Sequence, residues 1–340
     1  MEFLYNKALQ INIYPLDFPH LRSTLKHQIK VWSEQVDSIS VTLDIRRSVA
    51  GRYRSDQYDD LLDKTRTLLA ELCQDEPKLI VSEVDYSSEM RESVAALFFN
   101  EKFVPDKAWD GGPYYSYFFG LRAASARYVF HIDGDMLFGG GSQSWMNEAI
   151  HFFSENPDVL FIAPLAGPPL PGGRSESHRL LDGNLAQKLN HTSLALEFDH
   201  VSTRVFLIDM ERFIQHVVFV DAIEIGLLRK LKAFLLGHPR LALEAESVLS
   251  ITMQNRKMCR VDIYGETPGM WSLHPPFRSE EYYANLPKII GRIESGEIPE
   301  GQLGDHNLND SFIDWSSARM SQTKTKRLVR QLKHVLRRCL

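Results

Sequence analysis

Two carboxylates one residue apart, Asp133 and Asp135, close an apolar run formed by Tyr128, Val129, Phe130, His131 and Ile132. Carboxylate oxygens are hard ligands, and a pair at this spacing suits Mg2+ or Mn2+, cations that bridge to phosphate oxygens and neutralise a diphosphate. Gly134 removes side-chain bulk between the acids, and Gly139-Gly140-Gly141 keeps the backbone after them open. Loop carboxylates and helix caps use the same spacing in many chains. What points to chemistry here is the strand-like run before the pair and the glycines after it.

Those acids need elements to hold them. Ile11–Tyr14 is a short β-branched and aromatic run ending at Pro15, Ser38–Asp44 alternates as a strand does, and Lys78–Val84 and Val159–Ala163 read as further strands. Between them Leu21–Val36, Tyr58–Cys73, Pro113–Ala126 and Trp145–Ser154 have helical spacing or character. Strand alternating with helix predicts an α/β fold, a mostly parallel sheet flanked by helices. In such sheets ligands bind at the carboxyl ends of the strands, which is where Asp133 and Asp135 fall. Pro164–Gly173 holds four prolines and three glycines and reads as a loop. Beyond it His200–Asp209 and Met258–Tyr264 are expected strands, and Ile223–Leu236 and Ala245–Asn255 expected helices. From Pro275 the pattern fades until the last 17 residues.

The order strand, helix, strand, then the segment Gly120–Phe138 ending in the acidic pair, resembles a GT-A (Rossmann-like) glycosyltransferase of the family 2 type. The resemblance runs over roughly Leu9 to Pro276. The fading pattern reads as an irregular C-terminal extension at 277–323 and the last residues as a basic amphipathic helix at 324–340, and the resemblance implies a nucleotide-sugar transferase domain at 1–276. It also implies Mn2+ or Mg2+ on Asp133 and Asp135, with His274 completing the metal site. Gly111 and Gly112 match the family's glycine-bearing loop, which lets backbone approach the donor. Pro15 and Asp44 fall where the family flanks the nucleotide base and ribose. Glu246, three residues before Leu249, matches the family's catalytic base, and Glu244 is the reserve because Ala245 breaks the usual acidic pair. An inverting transfer needs such a carboxylate to deprotonate the acceptor hydroxyl, although the dipole of a helix also favours an acid in its first turn. Tyr117-Phe118-Phe119 stands where many members have Arg-Asn, which marks a remote branch.

The implied activity is transfer of a sugar from a nucleotide-diphosphate sugar to an acceptor hydroxyl on a glycan, a lipid-linked molecule or a small molecule. Two rivals stand beside it. A nucleotidyltransferase of related topology wants a glycine-rich basic loop after the first strand, where this chain has Tyr14-Pro15-Leu16-Asp17. A degenerate relative would bind sugar nucleotide or a partner without turnover. A haloacid-dehalogenase-type phosphatase fits poorly, since it wants Gly-Thr after its acids and here Met136-Leu137 follow.

Composition narrows the setting. The 340 residues are 44% hydrophobic and 24% charged, as in an ordinary globular chain. Three cysteines at no metal-like spacing argue against a disulfide scaffold or a zinc site. Net charge is −5, but residues 324–340 carry seven Lys and Arg and no acid, so 1–323 alone carry −12. That acidic body excludes a nucleic-acid coat. The cationic tail, with Leu328, Leu332, Val335 and Leu336 on one helical face, suits an anionic membrane surface or a docked partner. No apolar stretch reaches the roughly 20 residues of a membrane span. The expected location is cytoplasmic, peripheral at the inner face of the membrane.

Overall fold

The computed structural model describes residues 2–48, 55–101, 103–109, 111–171, 187–188, 194–217, 219–220, 226–236 and 243–321. In chain order the first half runs β1 (Tyr5–Ile13), α1 (Phe18–Trp32), β2 (Ser38–Leu43), α2 (Tyr58–Asp75), β3 (Leu79–Glu83), α3 (Ser88–Phe99), α4 (Tyr115–Ala123), β4 (Ala126–Asp133), β5 (Leu137–Gly139), α5 (Trp145–Glu155) and β6 (Val159–Ala166). The second half follows with β7 (Gln187–Lys188), β8 (Ala195–Phe198), β9 (Val205–Asp209), the single turn α6 (Met210–Arg212), α7 (Leu227–Leu236), α8 (Ala245–Asn255), β10 (Cys259–Ile263), β11 (Trp271–Leu273), α9 (Glu280–Glu294) and α10 (Ser316–Ser321).

The strands form an 11-stranded sheet in the order β3-β2-β1-β4-β9-β6-β10-β8-β7, with β11 pairing β5 and β6. β3, β2, β1 and β4 are parallel neighbours. β9 runs antiparallel between β4 and β6, and β10 returns parallel to β6. The mostly parallel sheet flanked by helices is therefore what the chain builds. Crossovers diverge on either side of β1, towards β2 in one direction and β4 in the other, which opens a crevice at their carboxyl ends.

Aromatic side chains fix the layers. On one face Trp32 of α1 packs against Phe130, Phe138 and Trp145, with ring centroids 4.5, 5.2 and 5.7 Å away. On the other, Phe98 of α3, Phe118 of α4 and Phe206 of β9 share a second cluster with Leu249 of α8. A third joins Trp271 of β11 to Tyr282, Leu286 and Ile289 of α9 and to Trp315. That third cluster corrects the expectation of an irregular stretch at 277–323. Ser279 caps α9 by accepting from the Tyr282 amide at 3.3 Å, and the helix accommodates Pro287 while burying Leu286, Ile289 and Ile293.

Other elements differ in extent. β1 is nine residues long, and its buried polar Gln10 donates across the sheet to Thr42 (3.1 Å) and along its own strand to Asn12 (2.8 Å). The expected strand at 200–209 begins only at Val205, and β6 continues through Pro164 to Ala166. α3 lies where no helix is expected from the sequence; its apolar residues crowd its second half. The expected helix at 324–340 lies outside the described residues. Among the described residues no helix is long and apolar enough to cross a membrane.

Candidate functional site

Asp133 is the last residue of β4, in register with Asn12 of β1. A tight turn then reverses the chain: the Met136 amide donates to the Asp133 carbonyl at 3.2 Å, and Gln28 of α1 donates to the carbonyls of both Asp133 (3.1 Å) and Met136 (2.9 Å). Gly134 presses against β1, where a Cβ would come within 2.9 Å of an Ile13 methyl carbon. The turn thus points the two acids differently. Asp133 keeps a side chain that is 36% exposed, while Asp135 is buried.

Asp135 meets a cation that the sequence reading missed. Arg278, just before the cap of α9, donates from Nη2 to Asp135 Oδ2. His274 Nε2 stands 3.8 Å from the same oxygen. Burial works to raise the Asp135 carboxyl, but Arg278, then His274 and His20, outweigh it and hold it below the usual carboxylate range. The other oxygen, Oδ1, is buried with no hydrogen-bond partner. His274 itself sits at the end of β11, with its ring Nδ1 3.3 Å from Asn307 Oδ1. Assigned as a bond, this contact puts the proton on Nδ1 and leaves the Nε2 lone pair towards Asp135. Burial pulls His274 down to about 4, against the pull of Asp135, so the ring is neutral at pH 7.

Two further titratable groups share the pocket. Asp17, in the single helical turn opened by Pro15 after β1, accepts from the Tyr14 amide at 2.8 Å. Burial raises it to about 6, with Arg278 opposing and Asp135 adding. His20 of α1 is buried, stacks on Tyr283 at 6.1 Å, and has no hydrogen-bond partner at either ring nitrogen; burial lowers it to about 4. Arg278 and Asp17 carried a sequence signal in hindsight: a cation behind a proline pair four residues past His274, and an acid just after the first strand.

The candidate base lies one loop away from the acids. Glu246, in the first turn of α8, accepts from the Thr203 amide at 3.2 Å. The next residue, Arg204, gives its carbonyl to the Asp133 amide at 2.8 Å. Tyr117 donates its hydroxyl to the Thr203 carbonyl, and its own ionisation is opposed by burial first and then by Asp133 and Glu246. Glu244 is differently placed: it is the N-cap residue of α8 and accepts from Trp109 Nε1 at 2.7 Å. Behind Asp133 runs a buried polar row, in which His131 Nε2 is 3.7 Å from Asp133 Oδ1 and Nδ1 contacts Gln10 Oε1.

The expected nucleotide-side residues are tied up within the protein. Asp44 is buried and accepts from Lys107 Nζ, from the Tyr86 hydroxyl at 2.7 Å and from the Arg46 amide at 2.8 Å. A carboxylate has about four acceptor sites, so Asp44 has room for about one further donor. Gly111 and Gly112 close a compact turn, with the Gly111 amide on the Ala108 carbonyl (2.9 Å) and the Ala108 amide on the Gly112 carbonyl (3.0 Å). This turn delivers Lys107 to Asp44 on one side and Trp109 to Glu244 on the other.

A divalent cation fits this donor set as a partner shared with a ligand. Asp135 Oδ1 is an orphaned buried acceptor, and Asp133 is open, but among the described residues no group of three or more His, Cys, Asp or Glu stands ready to enclose a metal. One or two carboxylates completed by phosphate oxygens is the usual arrangement for Mg2+.

No family model matches the chain, and no curated protein matches it. Solved structures to which it is similar include GalNAc-T7 with UDP, GalNAc and Mn2+, at 11% identity and a TM-score of 0.47, covering 93% of this chain and 53% of that one. Another is TarS 1–349 of S. aureus, at 11% identity and a TM-score of 0.39, covering 78% of this chain and 60% of that one. A third is the mannosyltransferase PcManGT from Pyrobaculum calidifontis in complex with GDP-Man and Mn2+, at 11% identity and a TM-score of 0.33, covering 98% and 75%. The chain thus spans between half and two thirds of the length of the first two.

Proposed function

We propose that the chain is a glycosyltransferase that moves a sugar from a nucleotide-diphosphate sugar to an acceptor hydroxyl with inversion. The observation that carries this is the acid pair at the end of β4, with Asp135 Oδ1 buried and unpartnered and with Glu246 joined to the same place through Thr203 and Arg204. Bound Mn2+ or Mg2+ would supply charge neutralisation of the leaving diphosphate, held by Asp133 and Asp135 with His274 alongside. The protein's own groups do the rest. Asp133, held by the His131 row and the Arg204 carbonyl, presents its open oxygens to the crevice. Neutral His274 offers Nε2 there without adding a proton. Arg278, already at the site, can turn from Asp135 towards phosphate oxygens as a planar donor. Glu246 accepts the proton of the acceptor hydroxyl as that oxygen attacks the anomeric carbon from the face opposite the diphosphate. Pro15, Asp44, Gly111 and Gly112 flank the nucleotide side of the crevice, Asp44 by its remaining acceptor position.

A panel of nucleotide sugars tested by thermal shift with and without Mn2+ is the deciding experiment, because a ligand that binds only the folded chain stabilises it by mass action. At least one donor should raise the melting temperature with Mn2+, and Asp135→Asn should abolish that rise and donor turnover together. Shifts without any turnover would favour a binding protein without catalysis. No shift for any donor would overturn the assignment.

A further inference from the structure

The ten residues of α7 read Leu-Leu-Arg-Lys-Leu-Lys-Ala-Phe-Leu-Leu, with three cations and no acid. A helix on a globular body normally turns its apolar arc to the core. This one presents it outward: Leu227 and Leu228 are each 82% exposed, Leu231 54% and Phe234 55%. At 3.6 residues per turn these four fall within an arc of about 120°. Of the eight large, exposed apolar side chains among the described residues, four belong to this helix, and a fifth, Phe103 at 58%, lies in the segment that leads to Trp109. Trp109 is also where α7 meets the body. The Arg229 guanidinium stands over the Trp109 ring at 5.5 Å, and the indole N–H is bonded to Glu244 at the cap of α8. The exposed arc therefore lies beside the helix that carries Glu246.

Charge selects the occupant. A second copy laying its own α7 against this one would set cations against cations. The tail at 324–340, with seven cations and no acid, is repelled in the same way. Leucine and phenylalanine flanked by Lys and Arg match a surface with anionic headgroups over an apolar layer. We propose that α7 docks the protein on an anionic bilayer, with Leu227, Leu228, Leu231 and Phe234 in the headgroup boundary. The docking stands on α7 alone. That it would bring membrane-borne acceptors to Glu246 rests on the transferase assignment.

Co-sedimentation of the full chain with vesicles tests this without donor or turnover, so its failure and a failure of the transferase assignment are separate results. The vesicles are phosphatidylcholine alone, or phosphatidylcholine with about a third phosphatidylglycerol to give the anionic surface. The wild type should bind the anionic vesicles and not the neutral ones. Leu228→Glu/Leu231→Glu should lower that binding by about tenfold or more, and Leu227→Ser by less in the same direction, because apolar burial is lost and, in the first variant, like charge is added. All of these side chains are exposed, so the melting temperature should hold, which separates lost docking from lost folding. The proposal is overturned if the wild type ignores anionic vesicles. It is equally overturned if both α7 variants bind like the wild type while neutralising Arg330, Lys333, Arg337 and Arg338 in the tail abolishes binding. A wild-type dimer in gel filtration that the α7 variants convert to monomer would overturn it too, and assign the face to a second copy.

Discussion

Arg278 pairs with Oδ2 of Asp135, the carboxylate whose other oxygen the transferase proposal gives to a divalent cation. In the protein as it stands, the guanidinium on Oδ2 compensates a carboxylate that burial would otherwise push towards protonation. Removing it has two effects of opposite sign. Arg278→Gln frees Asp135 from a competing cation, so Mn2+ alone should bind more tightly, read by calorimetry as a severalfold lower Kd. The same change removes a planar donor from the phosphates, so nucleotide diphosphate in saturating Mn2+ should bind more weakly, by about tenfold for the loss of one charge-assisted pair. A fall in both affinities would mean that Arg278 only props up the loop. Asp17 gives a second prediction, in pH. Its carboxyl is raised from 3.8 to about 6, chiefly by burial. Below the unfolded value both states are protonated and nothing is lost. Between about 4 and 6 the folded chain keeps a proton that the unfolded chain has released, so stability falls as pH rises through that window. Above it the cost is constant, about 3 kcal/mol at most for two pK units. Asp17→Asn should therefore be more stable than the wild type at pH 7 by up to that amount. The gap should close by pH 4 in urea titrations, and a gap that stayed constant with pH would count against a titrating Asp17.

At the level of elements, Asp135 and His274 adjoin two short strands, β5 and β11, which no pattern in the sequence announces. Gly139 in β5 lies directly under the Trp271 ring of β11, and a Cβ there would stand 2.2 Å from a ring carbon. Gly139→Ala must move Trp271, three residues before His274, out of a filled cluster. It should cost about 1–3 kcal/mol of stability, as overpacking does, and lower donor affinity in the same variant. Unchanged affinity at reduced stability would detach β11 from the site. The place of the acids at a strand end was legible in sequence, because an apolar, partly β-branched run leads directly into Asp-Gly-Asp. The sheet was legible for the same reason of period. α9, which follows Arg278, was not, because Pro287 sits inside the helix and the residues that stabilise it come from elsewhere: His27 of α1 lies 2.9 Å from Glu294, and Trp315 closes the cluster from beyond. The third apolar cluster is tertiary, and periodicity reports only local pattern. The Asp44 partners Lys107 and Tyr86 were invisible for the same reason, being 63 and 42 residues away in sequence.

Across the whole molecule, the transferase proposal asks a body of net charge −12 over residues 1–323 to receive a diphosphate, itself an anion. The guanidinium on Asp135 is already paired with that carboxylate. Under that proposal a divalent cation held by Asp133 and Asp135 would supply neutralisation of the donor's charge. Chelation should then matter more than salt. With Mn2+ and donor at about a hundred times Kd, mass action supplies about 2.7 kcal/mol, a rise of several degrees in melting temperature. EDTA should erase nearly all of it. Raising sodium chloride in the EDTA sample should restore little, because the repulsion acts between groups a few ångströms apart, inside the Debye length of about 10 Å at 0.1 M. In Mn2+ the association rate should change little with salt, since the donor–metal pair approaches with its charge largely cancelled. Retention of the full shift in EDTA would place the neutralising role on Arg278 alone and remove the metal from Asp133 and Asp135.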